Sequence, residues 1–88
     1  MKKEKFITGD IWLSAAIACL LKIFPEFITK GGRTLFVFPS NDDIYRAISH
    51  FNNGAAFNLW EYSLMVKRLK MEMITRKQKH ADAGSAER

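Results

Sequence analysis

The sequence predicts an α+β domain, in which helices pack on a small antiparallel sheet and the elements follow the order β-α-β-β-α-α. Three observations predict this fold: a helix-length apolar run near the N-terminus, two β-prone runs around a Gly-Gly pair, and two later segments with helical periodicity. The chain has 88 residues, which is enough for one domain and not for two. We expect the domain to span residues 1–78, and residues 79–88 to form a disordered tail because they carry no periodic apolar pattern.

The first two elements are a short strand over residues 5–8 and a helix over about residues 10–23. Either Thr8 or Asp10 can cap that helix by accepting hydrogen bonds from the free N–H groups of its first turn. The helix is apolar on nearly all sides, so neighbouring elements must cover it on several of them. We therefore expect it to be the central element of the core.

The apolar run Ile11–Leu21 needs a separate test, since a basic N-terminus followed by an apolar run is typical of targeting segments. It has 11 residues, whereas a membrane-spanning helix needs roughly 20. Asp10 interrupts its start, and apolar residues rather than a polar segment follow Cys19, the single cysteine of the sequence. These features argue against a signal peptide, so we expect a cytoplasmic protein in which Cys19 is a reduced core residue.

The pair Gly31-Gly32 is the clearest local signal. The flanking residues 24–30 and 33–38 are β-prone, and a type I′ turn needs positive φ at both central positions, so these runs predict a hairpin that Pro39 ends. Its second strand is apolar on both faces, so we expect it to be covered on both. The predicted cross-strand pairs are Thr29–Thr34, Ile28–Leu35 and Phe27–Phe36.

A further helix is predicted over about residues 41–52. Ser40 and Asp43 resemble a capping box at its start, and a polar segment with Gly54 stops it. His50 lies near its C-terminal end, where the helix dipole favours a positive charge. The predicted apolar face contains Ile44, Ala47, Ile48 and Phe51.

The last helix is predicted over about residues 58–78. Asn58 and Glu61 form a second capping box, and Phe57 and Tyr62 have the spacing of a hydrophobic staple. Two apolar stripes run along this helix, more than a quarter turn apart. The first stripe consists of Leu59, Tyr62, Val66, Leu69 and Met73, with Met65 on its edge. The second stripe consists of Trp60, Leu64 and Met71, widened by Ile74.

The second stripe of the last helix carries our leading functional hypothesis. The first stripe can dock onto the core, which leaves the second without a partner inside so small a domain. Exposed apolar stripes of this kind are typical of interfaces, so we expect this one to contact a second copy of the chain or another protein. In the alternative, the first two helices flank the last one and bury both stripes.

Basic residues favour a second hypothesis, nucleic-acid binding. The net charge is +5, although much of it lies near the chain ends. Lys30 and Arg33 flank the hairpin tip, where cations can reach a phosphate backbone. The alternative for this pair is an ordinary solvated turn. Lys67 and Lys70 border the second stripe, and basic residues beside aromatic ones also suit single-stranded nucleic acid.

Catalytic, metal and cofactor sites have little support in the sequence. A metal site needs several converging ligands, but the chain has one cysteine and two histidines. A nucleophile needs an oriented base, so an exposed Cys19 beside His50 would revive the enzyme hypothesis. Gly31-Gly32 links two strands, whereas phosphate-binding loops lead from a strand into a helix. We therefore expect no enzyme activity, no metal and no cofactor.

Two segments carry a family resemblance. Phe6–Ala16 contains a Thr-x-Asp step followed by Leu-x-Ala-Ala, and Gly31–Phe38 ends in Phe-x-Phe. Together they resemble a family of small uncharacterised domains, a domain of unknown function, found in bacteria and their phages. The resemblance covers about residues 5–75 in the order of elements. It favours a prophage or mobile-element origin and implies no activity and no functional residues.

These observations predict a non-enzymatic protein-interaction module that self-associates, as a homodimer, through its last helix. The alternative is a small accessory nucleic-acid-binding protein, which would use the Lys30/Arg33 hairpin tip and the basic C-terminal helix.

Overall fold

The computed structural model describes the backbone of residues 4–86 and the side chains of residues 4–76. These residues form three helices and a three-stranded antiparallel sheet, which confirms the predicted α+β fold and its order of elements. The elements are β1 (Lys5–Thr8), α1 (Ile11–Leu21), β2 (Glu26–Lys30), β3 (Arg33–Pro39), α2 (Asp42–Asn52) and α3 (Leu59–Ala86).

The last helix, α3, continues through Ala86. The apolar pattern predicts its end near residue 78, so the backbone helix is longer than expected. Side chains from residue 77 onward lie outside the described part of the chain, as do residues 87–88. The disorder expected over residues 79–88 stays a prediction.

The sheet has the strand order β1-β3-β2, so β3 is its central strand. The hairpin of β2 and β3 has the predicted register, and its turn glycines have positive φ angles of 59° at Gly31 and 78° at Gly32. β1 pairs with the other edge of β3 and places Phe6 opposite Phe38. The confirmed cross-strand pairs are Thr29–Thr34, Ile28–Leu35 and Phe27–Phe36.

The core lies between one face of the sheet and the three helices. α1 is its centre, as predicted: residues 14–18 are buried, and the helix contacts both α2 and α3. All three strands contribute aromatic side chains to this face, and the rings of Phe27 and Phe36 meet edge to face at 5.4 Å. The sheet residues in the core cluster are Phe6, Phe27, Phe36 and Phe38.

The opposite face of the sheet differs from the prediction. Alternation along the strands places Ile7, Ile28, Leu35 and Val37 there, and the core cluster of the described residues contains none of these four side chains. Val37 is buried because it lies on the central strand between its neighbours, while Ile7 and Ile28 on the edge strands are exposed. The expectation that β3 is covered on both faces is therefore met only in part: on this face Val37 is buried and Leu35 half-buried, but neither joins the core cluster of the described residues.

The helix starts follow the sequence signals with one correction. Asp10 caps α1 through its carboxylate, which accepts hydrogen bonds from the backbone N–H groups of Trp12 and Leu13. The cap of α2 is Asn41, whose side chain accepts a hydrogen bond from the backbone N–H of Ile44 at 2.9 Å, so the predicted capping role of Ser40 is wrong. Ser40 instead hydrogen-bonds the Tyr45 hydroxyl at 2.8 Å.

The start of α3 matches the prediction more closely. The Asn58 side chain accepts a hydrogen bond from the backbone N–H of Glu61 at 3.0 Å. The rings of Phe57 and Tyr62 stack at 5.1 Å, which is the expected hydrophobic staple. Both contacts fix the direction in which α3 leaves the preceding loop.

Candidate protein-interaction surface

One side of α3 packs on the domain. Leu69 is fully buried and Val66 nearly so, and Tyr62, Met65 and Met73 pack against the same core cluster. The first apolar stripe therefore docks onto the core as the sequence predicts. Leu59 is the exception, because it is 81% exposed at the first position of the helix.

The second apolar stripe of α3 lies on the outside of the domain, and we call its four side chains the outer stripe: Trp60, Leu64, Met71 and Ile74. All four are exposed, with 69% of Trp60 and 65% of Met71 accessible to solvent. Each residue advances the helix by about 100°, so Met71 points almost directly away from the buried Leu69. The alternative in which α1 and α2 bury both stripes is therefore wrong.

Lys67 and the four residues of the outer stripe together form a seam. Positions 60, 64, 67, 71 and 74 are separated by four, three, four and three residues, which is the spacing of the a and d positions in a coiled coil. The exposed Lys67 thus occupies a central seam position rather than the border expected from the sequence. Glu61 and Arg68 line one edge of the seam, with one charge of each sign.

A groove runs along that edge between α3 and the loop that joins α1 to β2. Phe24 forms its outer wall and is 40% exposed, with the Arg68 guanidinium 4.8 Å from the centre of its ring. The part of the groove beside Leu64 and Met71 has a volume of about 510 Å³. Sequence reasoning missed Phe24 because the β-prone run assigned it to the first hairpin strand, whereas β2 begins at Glu26.

Cys19 lies at the other end of this groove. Its thiol is half-buried and reaches the backbone carbonyl of Glu61 at 3.9 Å, a long sulfur contact. Burial and the negative charge of Glu61 raise the pKa of the thiol, and the nearby Lys22 opposes them. Cys19 therefore stays protonated at neutral pH. His50 is exposed and lines a different groove, on the α2 side of α1, so the structure does not bring the two residues together.

The expected nucleic-acid contacts lie on separate elements. Lys30 and Arg33 pair across the hairpin tip. Lys67 lies between the apolar residues of the outer stripe, and the Lys70 ammonium lies 5.9 Å from the centre of the Trp12 ring. Several cations of α3 thus contact aromatic rings of the protein itself, as Arg76 does with Phe27 at 4.9 Å.

Among the described residues, no group of three or more His, Cys, Asp or Glu side chains is arranged to hold a metal ion. No helix in that part of the chain has the length and apolar character that crossing a bilayer requires.

The fold and the outer stripe define the class of the protein: a small α+β domain in which the described residues leave one apolar helix face exposed. No family model, curated protein or solved structure matches the chain. The resemblance to small bacterial and phage domains therefore stays a prediction, and functional inference depends on the surface itself.

Proposed function

We propose that the protein is a non-enzymatic interaction module of the cytoplasm that self-associates through the outer stripe. The observation that carries this proposal is the exposure of four large apolar side chains along one line of α3, opposite the face that packs on the core. Apolar side chains in one contiguous line lose unfavourable contact with water when a partner covers them, which is why such patches are typical of interfaces.

The seam favours a second copy of the chain as the partner. Alternating steps of four and three residues let two helices interlock along their a and d positions. A second α3 offers the same spacing, and it also offers both signs of charge beside the seam, in Glu61 and Arg68. The surface is therefore complementary to itself. A standard interface buries about 800 Å² per partner, and a seam of five positions is small by that measure, so we expect association in the micromolar range.

Nucleic-acid binding has weaker support. Its expected residues lie on separate elements, and Lys70 is already placed against Trp12. Self-association and nucleic-acid binding also predict different responses to salt. Binding through phosphate contacts weakens steeply as salt rises, whereas an apolar seam is far less sensitive.

Analytical ultracentrifugation over a wide concentration range tests the proposal, with two matched isoleucine variants. Ile74 on the outer stripe and Ile7 on the open sheet face are similarly exposed, at 53% and 48%. Ile74→Lys should weaken the dimer by tenfold or more, because it places a charge in an apolar seam. Ile7→Lys should leave the dimer unchanged.

Three results would contradict self-association through the outer stripe. In the first, the protein remains a monomer at several hundred micromolar. In the second, the two variants weaken the dimer equally. In the third, the protein would bind DNA or RNA with a steep salt dependence while staying monomeric, and that result would favour the nucleic-acid hypothesis.

A further inference from the structure

The charges beside the outer stripe specify how two copies would meet. We propose that the two α3 helices pair antiparallel about a two-fold axis, so that Glu61 of each copy faces Arg68 of the other, and Trp60 of each enters the groove beside Phe24 of the other. This arrangement rests on the proposed self-association and adds its orientation, its register and a contact outside α3.

The two charges are placed where a second copy can reach them. Glu61 and Arg68 are exposed and seven residues apart, so they lie on the same edge of α3 about two turns from each other. Neither takes part in the ion pairs found among the described side chains. Arg68 contacts the Phe24 ring within the domain, at 4.8 Å from its centre, but no carboxylate neutralises its charge among the described side chains. A carboxylate of a second copy can therefore still pair with it.

Orientation follows from symmetry. In a two-fold symmetric interface every contact occurs twice: if residue i of one copy contacts residue j of the other, residue j of the first copy contacts residue i of the second. An antiparallel pair brings Glu61 against Arg68 twice, with the axis between the heights of Leu64 and Lys67. In a parallel pair with equal alignment, identical residues lie at the same height, so Glu61 and Arg68 remain two turns apart. Only the antiparallel pair uses both charges.

The same register brings Trp60 to the groove. Trp60 precedes Glu61 by one residue, so in the antiparallel pair it lies beyond Arg68 of the second copy, next to Met71. The groove at that point has a volume of about 510 Å³. It is lined by three apolar side chains and three charged ones: Phe24, Leu64 and Met71, with Lys67, Arg68 and Glu72. An aromatic side chain that fills a pocket near the centre of an interface is a common source of binding energy.

This register also accommodates Lys67 without burying its charge. At the same height along the paired helices lies Leu64 of the second copy, which the methylene groups of the lysine can cover. The ammonium group then extends to the rim, where water solvates it. A charged residue at one seam position lowers stability but limits the registers in which the helices pair.

A charge-exchange cycle, measured by sedimentation equilibrium, tests the Glu61–Arg68 pairing. Glu61→Arg should weaken the dimer about fivefold, and Arg68→Glu should do the same, since each places like charges together. The double variant should return to within about twofold of the original dissociation constant. Urea unfolding of the three variants controls for changes in the fold.

Spin-label distances test the orientation independently. Thr75→Cys, made in a Cys19→Ser background and labelled, lies about ten residues from the proposed axis. The antiparallel pair then separates the two labels by about 30 Å, at a rise of 1.5 Å per residue. A parallel pair would hold them about 10 Å apart, the usual distance between packed helices.

The outcomes separate this inference from the proposed function. A dimer whose double variant recovers affinity and whose labels are far apart supports both. A dimer without recovery, or with a short label distance, overturns the antiparallel arrangement and leaves self-association intact. A protein that stays monomeric overturns both.

Discussion

The two faces of α3 have similar side chains and opposite environments. Leu69 and Val66 are buried against α1 and the sheet, while Leu64 and Met71 on the other side of the same helix are exposed. Intrinsic apolarity therefore does not decide which residues form the core. The position on the helix decides it, because within the described part of the chain only one side of α3 packs against other elements.

This comparison separates two contributions of the same helix. The packed face should set the free energy of unfolding of a single copy. The outer stripe should set the affinity between copies and contribute little to the fold of one. Substitutions on the two faces should therefore affect different measurements.

The largest effect is expected at the packed face. Leu69→Ala removes a fully buried side chain and should lower the free energy of unfolding by about 2–5 kcal/mol, because it leaves a cavity in the core. Urea unfolding at low protein concentration measures this loss. Met71→Ala is the matched control on the outer stripe. If Met71→Ala lowered the free energy of unfolding of a single copy as much as Leu69→Ala does, the two faces of α3 would not have these separate roles.

The next effect concerns the seam. Lys67→Leu should tighten self-association about tenfold, equivalent to about 1.4 kcal/mol, because an apolar side chain replaces the charged residue of the five seam positions. Sedimentation at several concentrations measures the change. Lys30→Leu at the hairpin tip is a suitable control and should leave the dissociation constant unchanged. Unchanged affinity in the Lys67 variant would place the interface elsewhere.

A smaller effect is expected at alkaline pH, on the packed side of α3. Burial raises the pKa of the Cys19 thiol above its ordinary 9.0, and burial together with the charge of Asp10 raises the pKa of the Tyr62 hydroxyl above 10.0. The unfolded chain therefore releases these protons at lower pH than the folded one. The contribution of these two groups to the free energy of unfolding should be fully present below about pH 9. It should be lost as the pH rises through their raised pKa values in the folded protein.

Urea unfolding between pH 8 and pH 11 measures this dependence. Tyr62→Phe removes one of the two groups, together with the hydrogen bond that its hydroxyl donates to the backbone carbonyl of Trp12 at 2.9 Å. The variant should be less stable at pH 8, yet lose less stability at high pH. An equal alkaline loss in the variant would show that Tyr62 does not contribute to it.

Much of the fold could be predicted because its signals are local. The Gly31-Gly32 turn and the alternation of the flanking strands define the hairpin register. The outer stripe could be predicted for a similar reason, since helical periodicity separates it from the packed stripe.

The remaining features depend on contacts distant in sequence. The backbone N–H of Ser40 donates to the carbonyl of Glu4 at 3.1 Å, so the chain is still held beside the sheet at Ser40 and α2 is capped one residue later. Phe24 lines the groove because Lys22 adopts a left-handed conformation, with a φ of 56°, and ends α1. Nothing in the periodicity of either segment signals these contacts.

Leu59 provides the last and smallest test of the two faces. It has the spacing of the packed stripe, yet it is 81% exposed because it is the first residue of α3. Leu59→Ala should therefore change the free energy of unfolding by no more than about 0.5 kcal/mol, as is usual for exposed positions. The chemically identical Leu69→Ala is its control. A loss above about 1 kcal/mol at Leu59 would mean that spacing along the helix, rather than contact with the core, determines which leucines stabilise the domain.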